Sequence, residues 1–300
     1  MGVRGILEDA AKFEEGCVTK TLVINSFNRP ILLRDCLESC LSLGNLEEYK
    51  IVMVHQKGNF EVERIVNEHA HLFSTLITTN PSGDKTDEFI TNNRILGLYV
   101  GFEFWKSEFV VSIEDDVILA RDALKFIEYA FETYRKNPSF RGVNLGSKLS
   151  LLEVDPISYS CLRFGMHGPA SMITKKTWKK INPQRVMKNS SVIFDAQIEF
   201  ALKTGFMVTP NASRYLDQGF EGSHTGTGTD KGYFQGLQSS FVGHLVSSNS
   251  YFHKDILPNW RKDCIIYKTK DDWRYFLKSK LYWTLLKFSN VLKLLNRKVS

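Results

Sequence analysis

Apolar residues follow two alternating patterns along the first third of the chain. Short, mainly apolar runs occupy residues 21–26, 49–56 and 76–79, as is typical of strands buried on both faces. Between these runs, apolar residues recur every three or four positions, which predicts amphipathic helices at residues 31–43 and 60–73. This alternation predicts an α/β fold with a Rossmann-like, mostly parallel sheet flanked by helices.

The next strand ends in three consecutive acids. A helix predicted at residues 87–105 leads into the segment SEFVVSIEDDVILA. Its first, mainly apolar part ends at Glu114, Asp115 and Asp116. Open α/β sheets bind ligands beyond the carboxyl ends of their strands, so charge concentrated there favours a divalent cation that shares phosphate oxygens. The alternative is that Asp115 or Asp116 caps a helix that begins near residue 120.

The pattern becomes less regular beyond residue 141. Residues 152–168 predict no regular element, whereas FDAQIEFALKTG predicts an amphipathic helix that ends at Gly205 and is followed by the strand FMVTP. Residues 221–232 are rich in glycine and small hydroxyl residues, which indicates a flexible loop.

The chain ends in a basic amphipathic segment. Residues 273–300 contain seven basic residues and no acidic residue, with leucines at helical spacing. Such a helix either packs on the core with its charges in water or lies on an anionic membrane surface, and both alternatives remain open. Nucleic acid is not an expected partner, because the charge is terminal rather than spread along a groove.

Composition predicts a soluble globular protein. Hydrophobic residues make up 43% of the chain and charged residues 24%, and the N-terminal sequence lacks the apolar centre of a signal peptide. The five cysteines show no pairing pattern, which favours a reducing compartment. We therefore expect a cytoplasmic protein, attached peripherally to the inner face of a membrane if the basic segment binds lipid.

Several segments, taken in order, resemble nucleotide-sugar transferases of the GT-A fold, and more narrowly the N-acetylglucosaminyltransferase I family. They span residues 21–232 and include TLVINSFNRP, YKIVMVHQ, NNRILGLYVGF, VVSIEDDVILA, FGMHGPASMITKKTW, and FDAQIEFALKTGFMVTPNASR followed by GSHTG. The resemblance implies a GT-A domain at residues 1–250, with a nucleotide-binding half at 18–140 and an acceptor half at 141–250. Residues 251–300 would form a helical extension.

The resemblance also implies the residues of the donor site. Asp116 would ligate Mn²⁺ or Mg²⁺ on the diphosphate, Asp115 would lie near the ribose, and Arg29 would contact the phosphates or else cap a helix. His224 is the candidate for a further metal ligand from the glycine-rich loop. The expected nucleotide-binding residues are Asn25, Asn28, Arg29, Gln56, Arg94, Glu114, Asp115, Ser223 and His224.

Catalysis is assigned by the same resemblance to Asp195, as the general base of an inverting transfer. Glu199, one helical turn further on, is the alternative base, and Asp195 could instead cap the helix that follows it. His167 and Gly168 would lie on the sugar or acceptor side.

The chain departs from the family where Gln56 is followed by Lys57 instead of an acid. The family's acid at this position contacts the uracil, so the departure bears on which nucleotide base the donor carries. The predicted function is an inverting transfer from a UDP-sugar, with N-acetylglucosamine as the candidate sugar, to a glycan or lipid-linked oligosaccharide. The alternatives are a retaining transferase or nucleotidyltransferase, and a non-catalytic sugar- or membrane-binding module on the same fold.

Overall fold

The structure is a computed structural model that describes residues 18–80, 86–147, 151, 154–162, 169–181, 205–219, 241–243 and 251–254, with only the backbone at 86–91. These residues all lie within one compact unit, Met1–Ile256. The strands are β1 Lys20–Ser26, β2 Tyr49–Gln56, β3 Thr75–Thr79, β4 Phe109–Glu114, β5 Val117–Leu119, β6 Phe140–Asn144, β7 Ser158–Leu162, β8 Ala170–Thr174, β9 Phe206–Pro210, β10 Tyr215–Asp217 and β11 Phe252–His253. The helices are α1 Pro30–Leu41, α2 Phe60–Glu68, α3 Thr86–Tyr99, α4 Ala123–Tyr134 and α5 Lys175–Trp178.

A nine-stranded sheet runs through the described residues in the order β11-β7-β9-β6-β8-β4-β1-β2-β3. Strands β3, β2, β1 and β4 are mutually parallel. Strand β8 is antiparallel to both of its neighbours, β4 and β6, whereas β9 is again parallel to β6. The predicted α/β class, a large and mostly parallel sheet with flanking helices, is therefore confirmed.

Helices cover both faces of the parallel half, which explains why its strands are continuously apolar. Leu22 and Ile24 of β1 belong to the core that also contains buried residues of α1, α2 and α4. Val23, between them, faces the opposite way and packs with Ile95 and Leu98 of α3. Burying a side chain of this size stabilises the fold by roughly 1.5–3 kcal/mol.

Glycine allows α3 to approach the sheet closely. A Cβ atom at Gly97 would lie 2.3 Å from Cγ1 of Val23, so any larger residue would push the helix away from β1. The α-helical part ends at Tyr99 and is followed directly by a single π-turn at Val100–Phe104. This turn lies within the helical segment predicted from the sequence.

The acidic segment differs from its prediction. It is split into β4 and β5, which belong to different sheets, and Asp115 and Asp116 lie in the turn between them. The following helix, α4, begins at Ala123 with Asp122 in the N-cap position. The alternative that Asp115 or Asp116 caps this helix is therefore wrong.

Long-range pairing produces strands that local sequence did not predict. Strand β7 lies within the segment expected to be irregular, and β8 is antiparallel to β4 from residue 170 to residue 174. Strand β11 pairs with β7, so residues 252–253 belong to the main sheet rather than to the predicted C-terminal extension. The other predicted domain boundaries stay predictions.

A separate two-stranded sheet lies beside the acidic turn. In it β10 is antiparallel to β5, with Asp217 opposite Val117. This pairing brings the end of β10 next to Asp116. Among the helices of the described ranges, none combines the length and apolar character needed to cross a bilayer.

Candidate functional site

The candidate site lies where the order of the parallel strands reverses. The chain builds β1, β2 and β3 outward in one direction and then places β4 on the other side of β1. In open α/β sheets such a reversal leaves a crevice beyond the carboxyl ends of the two strands that flank it, and ligands bind there. Here the crevice is bordered by the turn after β1, at residues 27–29, and by the turn after β4, at residues 115–116.

Arg29 joins these two turns. One guanidinium nitrogen, Nη1, donates to Oδ2 of Asp116, and the other, Nη2, donates to Oδ1 of Asp115. Arg29 occupies the N-cap position of α1 but makes no capping hydrogen bond with its side chain. The sequence-based alternative that Arg29 serves as a helix cap is therefore wrong for its side chain.

The two aspartates are more buried than the arginine that binds them. The Arg29 side chain is 29% exposed, compared with 1% for Asp115 and 7% for Asp116. The backbone N–H of Phe27 also donates to Oδ2 of Asp115 at 2.9 Å. Both oxygens of Asp115 are thus engaged inside the protein, which favours a role in holding Arg29 over the predicted contact with a ribose.

Burial raises the pKa of Asp115, and the nearby Arg29 charge and the Phe27 N–H act against that rise. Burial likewise raises the pKa of Glu114, whereas Arg94 of α3, 3.6 Å away through Nη1 and Oε1, lowers it. Burial therefore makes the charged forms of these acids at the sheet edge less favourable, and the positive charges of the two arginines offset this desolvation cost only in part.

Asp217 is a site residue that the sequence analysis missed. Burial, followed by repulsion from Asp116, raises the pKa of Asp217 to about 7. The N–H of Gly219 donates to Oδ1 of Asp217 at 2.8 Å, and the N–H of Gln218 donates to the backbone carbonyl of Asp116 at 2.8 Å. No local pattern marks Asp217, because only the pairing of β10 with β5 brings it to the acidic turn.

Gly219 fits closely against both carboxylates. A Cβ atom at this position would lie 2.2 Å from Oδ2 of Asp116 and 3.1 Å from Oδ1 of Asp217. The two carboxylates therefore converge on the backbone of Gly219, and no larger residue fits there without moving Asp116.

The described part of the site carries more negative than positive groups. The carboxyl groups of Glu114, Asp115, Asp116 and Asp217 lie with the guanidinium groups of Arg29 and Arg94.

The residues fit a divalent cation that is completed by a ligand. Oδ1 of Asp116 is buried and has no hydrogen-bond partner within the described ranges. Within the described ranges, no three His, Cys, Asp or Glu side chains are grouped so as to hold a metal ion by themselves. A pair of carboxylates is the usual protein share of a Mg²⁺ site, where water and substrate phosphate supply the other oxygens, and Mn²⁺ accepts similar ligands. Asp116 and Asp217 would hold such an ion.

The other predicted donor-binding residues lie around this edge with different exposures. Asn25 is buried and donates to Oγ of Ser112 at 3.2 Å and to the carbonyl of Ile113 at 3.1 Å, so it links β1 to β4. Gln56 is buried at the end of β2. Asn28 is exposed, and its carbonyl accepts a hydrogen bond from Nδ2 of Asn59 at 3.3 Å.

The remaining predicted residues fall outside the part of the chain that the structure describes. This holds for the catalytic candidates, the loop that could supply a metal ligand, the acceptor side and the basic segment at residues 273–300. The residues concerned are His167, Gly168, Asp195, Glu199, Ser223 and His224.

No protein-family model matches the chain, and no curated protein matches it. Solved structures do align with it at low identity. Residues 1–349 of S. aureus TarS in complex with UDP-GlcNAc are 13% identical, with a TM-score of 0.46, over 70% of this chain and 61% of that chain. The mannosyltransferase PcManGT from Pyrobaculum calidifontis, in complex with GDP-Man and Mn²⁺, is 13% identical, with a TM-score of 0.38, over 59% of this chain and 52% of that chain.

The chain thus spans less than two thirds of the length of either structure. At this degree of likeness, the assignment of a function depends on the site itself.

Proposed function

We propose that this protein is a metal-dependent glycosyltransferase that takes its sugar from a nucleoside diphosphate sugar. The observation that carries the proposal is Asp116 at the strand-order reversal. One of its oxygens accepts from Arg29, the other has no partner in the part of the chain that the structure describes, and Asp217 lies beside it. A metal ion and a positively charged side chain can together balance the charge of a diphosphate, and this edge offers ligands for the first and Arg29 as the second.

Each described residue has a separate task in this proposal. Asp116 and Asp217 hold Mn²⁺ or Mg²⁺, which when bound neutralises the charge on the departing nucleoside diphosphate. The guanidinium fork of Arg29 donates to phosphate oxygens, for which its planar geometry is suited. Asp115, fixed by the Phe27 N–H, orients Arg29.

The finer parts of the proposal come from the resemblance of the sequence to the N-acetylglucosaminyltransferase I family. The donor is proposed to be a UDP-sugar, with N-acetylglucosamine as the first candidate. The acceptor is proposed to be a glycan or a lipid-linked oligosaccharide. In the latter case residues 273–300 would hold the protein at an anionic membrane surface, and loss of liposome binding on their deletion would test this.

Calorimetric titration of UDP, GDP, UDP-GlcNAc and GDP-Man, each with and without Mn²⁺, tests the proposal. We expect at least one nucleotide to bind in a Mn²⁺-dependent manner, and the corresponding nucleotide sugar to be hydrolysed slowly when no acceptor is present. Asp116→Ala should remove the Mn²⁺-dependent part of binding. Binding that is identical with and without Mn²⁺, or unchanged in Asp116→Ala, would refute the proposal. Binding without any turnover would favour the non-catalytic alternative.

The mechanism is proposed to be inverting, with Asp195 as the base that accepts the proton of the acceptor hydroxyl. Asp195→Asn should lower turnover by about 10²–10⁴-fold and leave donor affinity unchanged. Glu199→Gln is the matched variant, since Glu199 is the alternative base, and the larger loss identifies the residue. Analysis of the product anomer is a separate test, because retention of configuration would exclude both assignments.

A further inference from the structure

We infer that Arg29 couples the binding of the metal ion to the binding of the nucleotide, because the guanidinium and the ion compete for Asp116 until a diphosphate takes the guanidinium away. The inference rests on the proposed function and adds to it an order of events at the same site. It is carried by the asymmetry of the two ion pairs that Arg29 makes.

The pair with Asp115 is the anchored one. Asp115 is 1% exposed and keeps the Phe27 N–H as a second donor at 2.9 Å. Asp115 therefore keeps one hydrogen bond even when Arg29 moves. Its ion pair with Nη2 can hold that end of the guanidinium in place while Nη1 changes partner.

The pair with Asp116 is the exchangeable one. Nη1 of Arg29 occupies Oδ2 of Asp116, on the side where Gly219 and Asp217 converge. The other oxygen, Oδ1, has no partner. A cation seated on Asp116 and Asp217 would therefore lie beside the Nη1 end of a guanidinium that is already charged, and two like charges at this separation repel each other.

A diphosphate removes this competition. The Arg29 side chain is 29% exposed, so an incoming ligand can reach it while the aspartates stay in place. Phosphate oxygens accept the Nη1 donor in place of Asp116, which moves the guanidinium charge away from the ion and leaves both carboxylate oxygens of Asp116 for it. The metal and the nucleotide should then favour each other, and by thermodynamic linkage each must raise the affinity of the other by the same factor.

The wild-type protein provides the first test. Mn²⁺ binding, measured by electron paramagnetic resonance of the free ion, should become tighter by about tenfold or more when UDP is saturating, within the usual range of coupling between sites. Calorimetric titration of UDP with and without Mn²⁺ should give the same factor. Independent binding of the two ligands would overturn the inference together with the proposed function, and the Arg29 variants below test the competition by itself.

Arg29→Gln provides the second test, and its expected sign is unusual for the loss of a site residue. Mn²⁺ alone should bind about tenfold more tightly, because its competitor is gone, and the further gain from UDP should shrink to what the direct contact of the phosphates with the ion supplies. Arg29→Lys, which keeps the charge without the fork, should lie between the two. Arg34→Gln is the control, because Arg34 lies on the same helix but pairs with Glu68 at an exposed position, 3.4 Å away.

The outcomes separate the inference from the proposed function. Mn²⁺ affinity that is unchanged or weaker in Arg29→Gln would overturn the competition even if UDP binds normally. Failure of UDP and GDP to bind any variant in saturating Mn²⁺ would instead refute the proposed function, and with it the coupling.

Discussion

Two arginine–aspartate clusters in this protein use the same chemistry for different ends. The site cluster consists of Arg29, Asp115 and Asp116. The core cluster consists of Arg214, Asp122 and Tyr251, where Nε of Arg214 donates to Oδ2 of Asp122 at 3.1 Å and the Tyr251 hydroxyl donates to the same oxygen at 2.9 Å.

The core cluster is closed on all sides. The side chains of Arg214 and Asp122 are 0% and 1% exposed, and the guanidinium lies 5.4 Å from the ring centre of Phe126 and 5.7 Å from that of Tyr251. Burial and the Asp122 charge raise the pKa of Tyr251, so its hydroxyl stays a neutral donor. Among the residues that the structure describes here, one carboxylate meets one guanidinium, so their charges balance.

The comparison shows that charge balance, more than an unpartnered oxygen, separates a structural cluster from a binding site. Oδ1 of Asp122 also has no hydrogen-bond partner, as does Oδ1 of Asp116. The difference is that the described residues around the site cluster carry four carboxyl groups and two guanidinium groups, and that Arg29 can be reached from solvent. A site with excess negative charge favours the binding of a cation.

Asp116→Asn should give the largest effect, and it should be on activity alone. Loss of a charged ligand to the metal should lower turnover by at least about 10³-fold, since a bound ion contributes several kcal/mol to the transition state. The free energy of unfolding should not fall, because one of several repelling charges is removed. Steady-state kinetics in Mn²⁺ and urea unfolding measure the two quantities, and near-normal turnover would contradict the comparison.

Asp122→Asn should give the opposite result. It leaves the Arg214 cation buried without a counter-charge, which should lower the free energy of unfolding by about 3–5 kcal/mol. Donor affinity of the folded protein in Mn²⁺ should remain near the wild-type value. The double variant Asp122→Leu, Arg214→Met is the control, because replacing both charges should recover most of the loss in urea unfolding.

Gly219→Ala should have an intermediate effect, confined to the site. The added Cβ would lie 2.2 Å from Oδ2 of Asp116, so the carboxylate must move and Mn²⁺ affinity should fall by about 10–100-fold. Gly44→Ala is the matched control, since the nearest atom to its Cβ is Cε of Lys125 at 3.8 Å. Equal Mn²⁺ affinities of the two variants in calorimetry would show that Gly219 does not position Asp116.

Asp217→Asn should also change the pH dependence of stability, measured in the presence of a chelator so that no metal ion is bound. Burial raises the pKa of Asp217 from 3.8 to about 7 in the folded protein, so between these values the folded state binds more protons than the unfolded state. The free energy of unfolding should therefore fall as the pH rises through this range, with no further loss above it. The slope is at most about 1.4 kcal/mol per pH unit.

In Asp217→Asn this decline should be shallower, because only the raised pKa values of Glu114 and Asp115 remain, and urea unfolding at several pH values measures the difference. If the variant shows the same slope as the wild type, burial does not raise the pKa of the Asp217 carboxyl group in the folded protein.

The sequence predicted the parallel half of the fold closely, because each signal there is local. A continuously apolar strand implies helices on both faces. The start of α2 is also set locally, because Oδ1 of Asn59 accepts from the N–H groups of Glu61 and Val62 at 3.0 and 3.2 Å. The three acids at the end of a buried strand were predicted for the same reason, since they adjoin along the chain, whereas the turn that places Asp115 and Asp116 between β4 and β5 was not predicted. Strands β7 and β8 were missed, because their register depends on partners far away in sequence.

What the sequence determined by itself is therefore the α/β pattern and the presence of Arg29, Asp115 and Asp116 at the ends of two buried strands. Only the tertiary structure decided that Asp217 lies beside Asp116, and that Arg214 pairs with Asp122 across 92 residues of chain. The physical reason is that periodicity and capping report the burial of neighbouring residues, whereas the balance of charge at a point in space depends on which distant strands pair there.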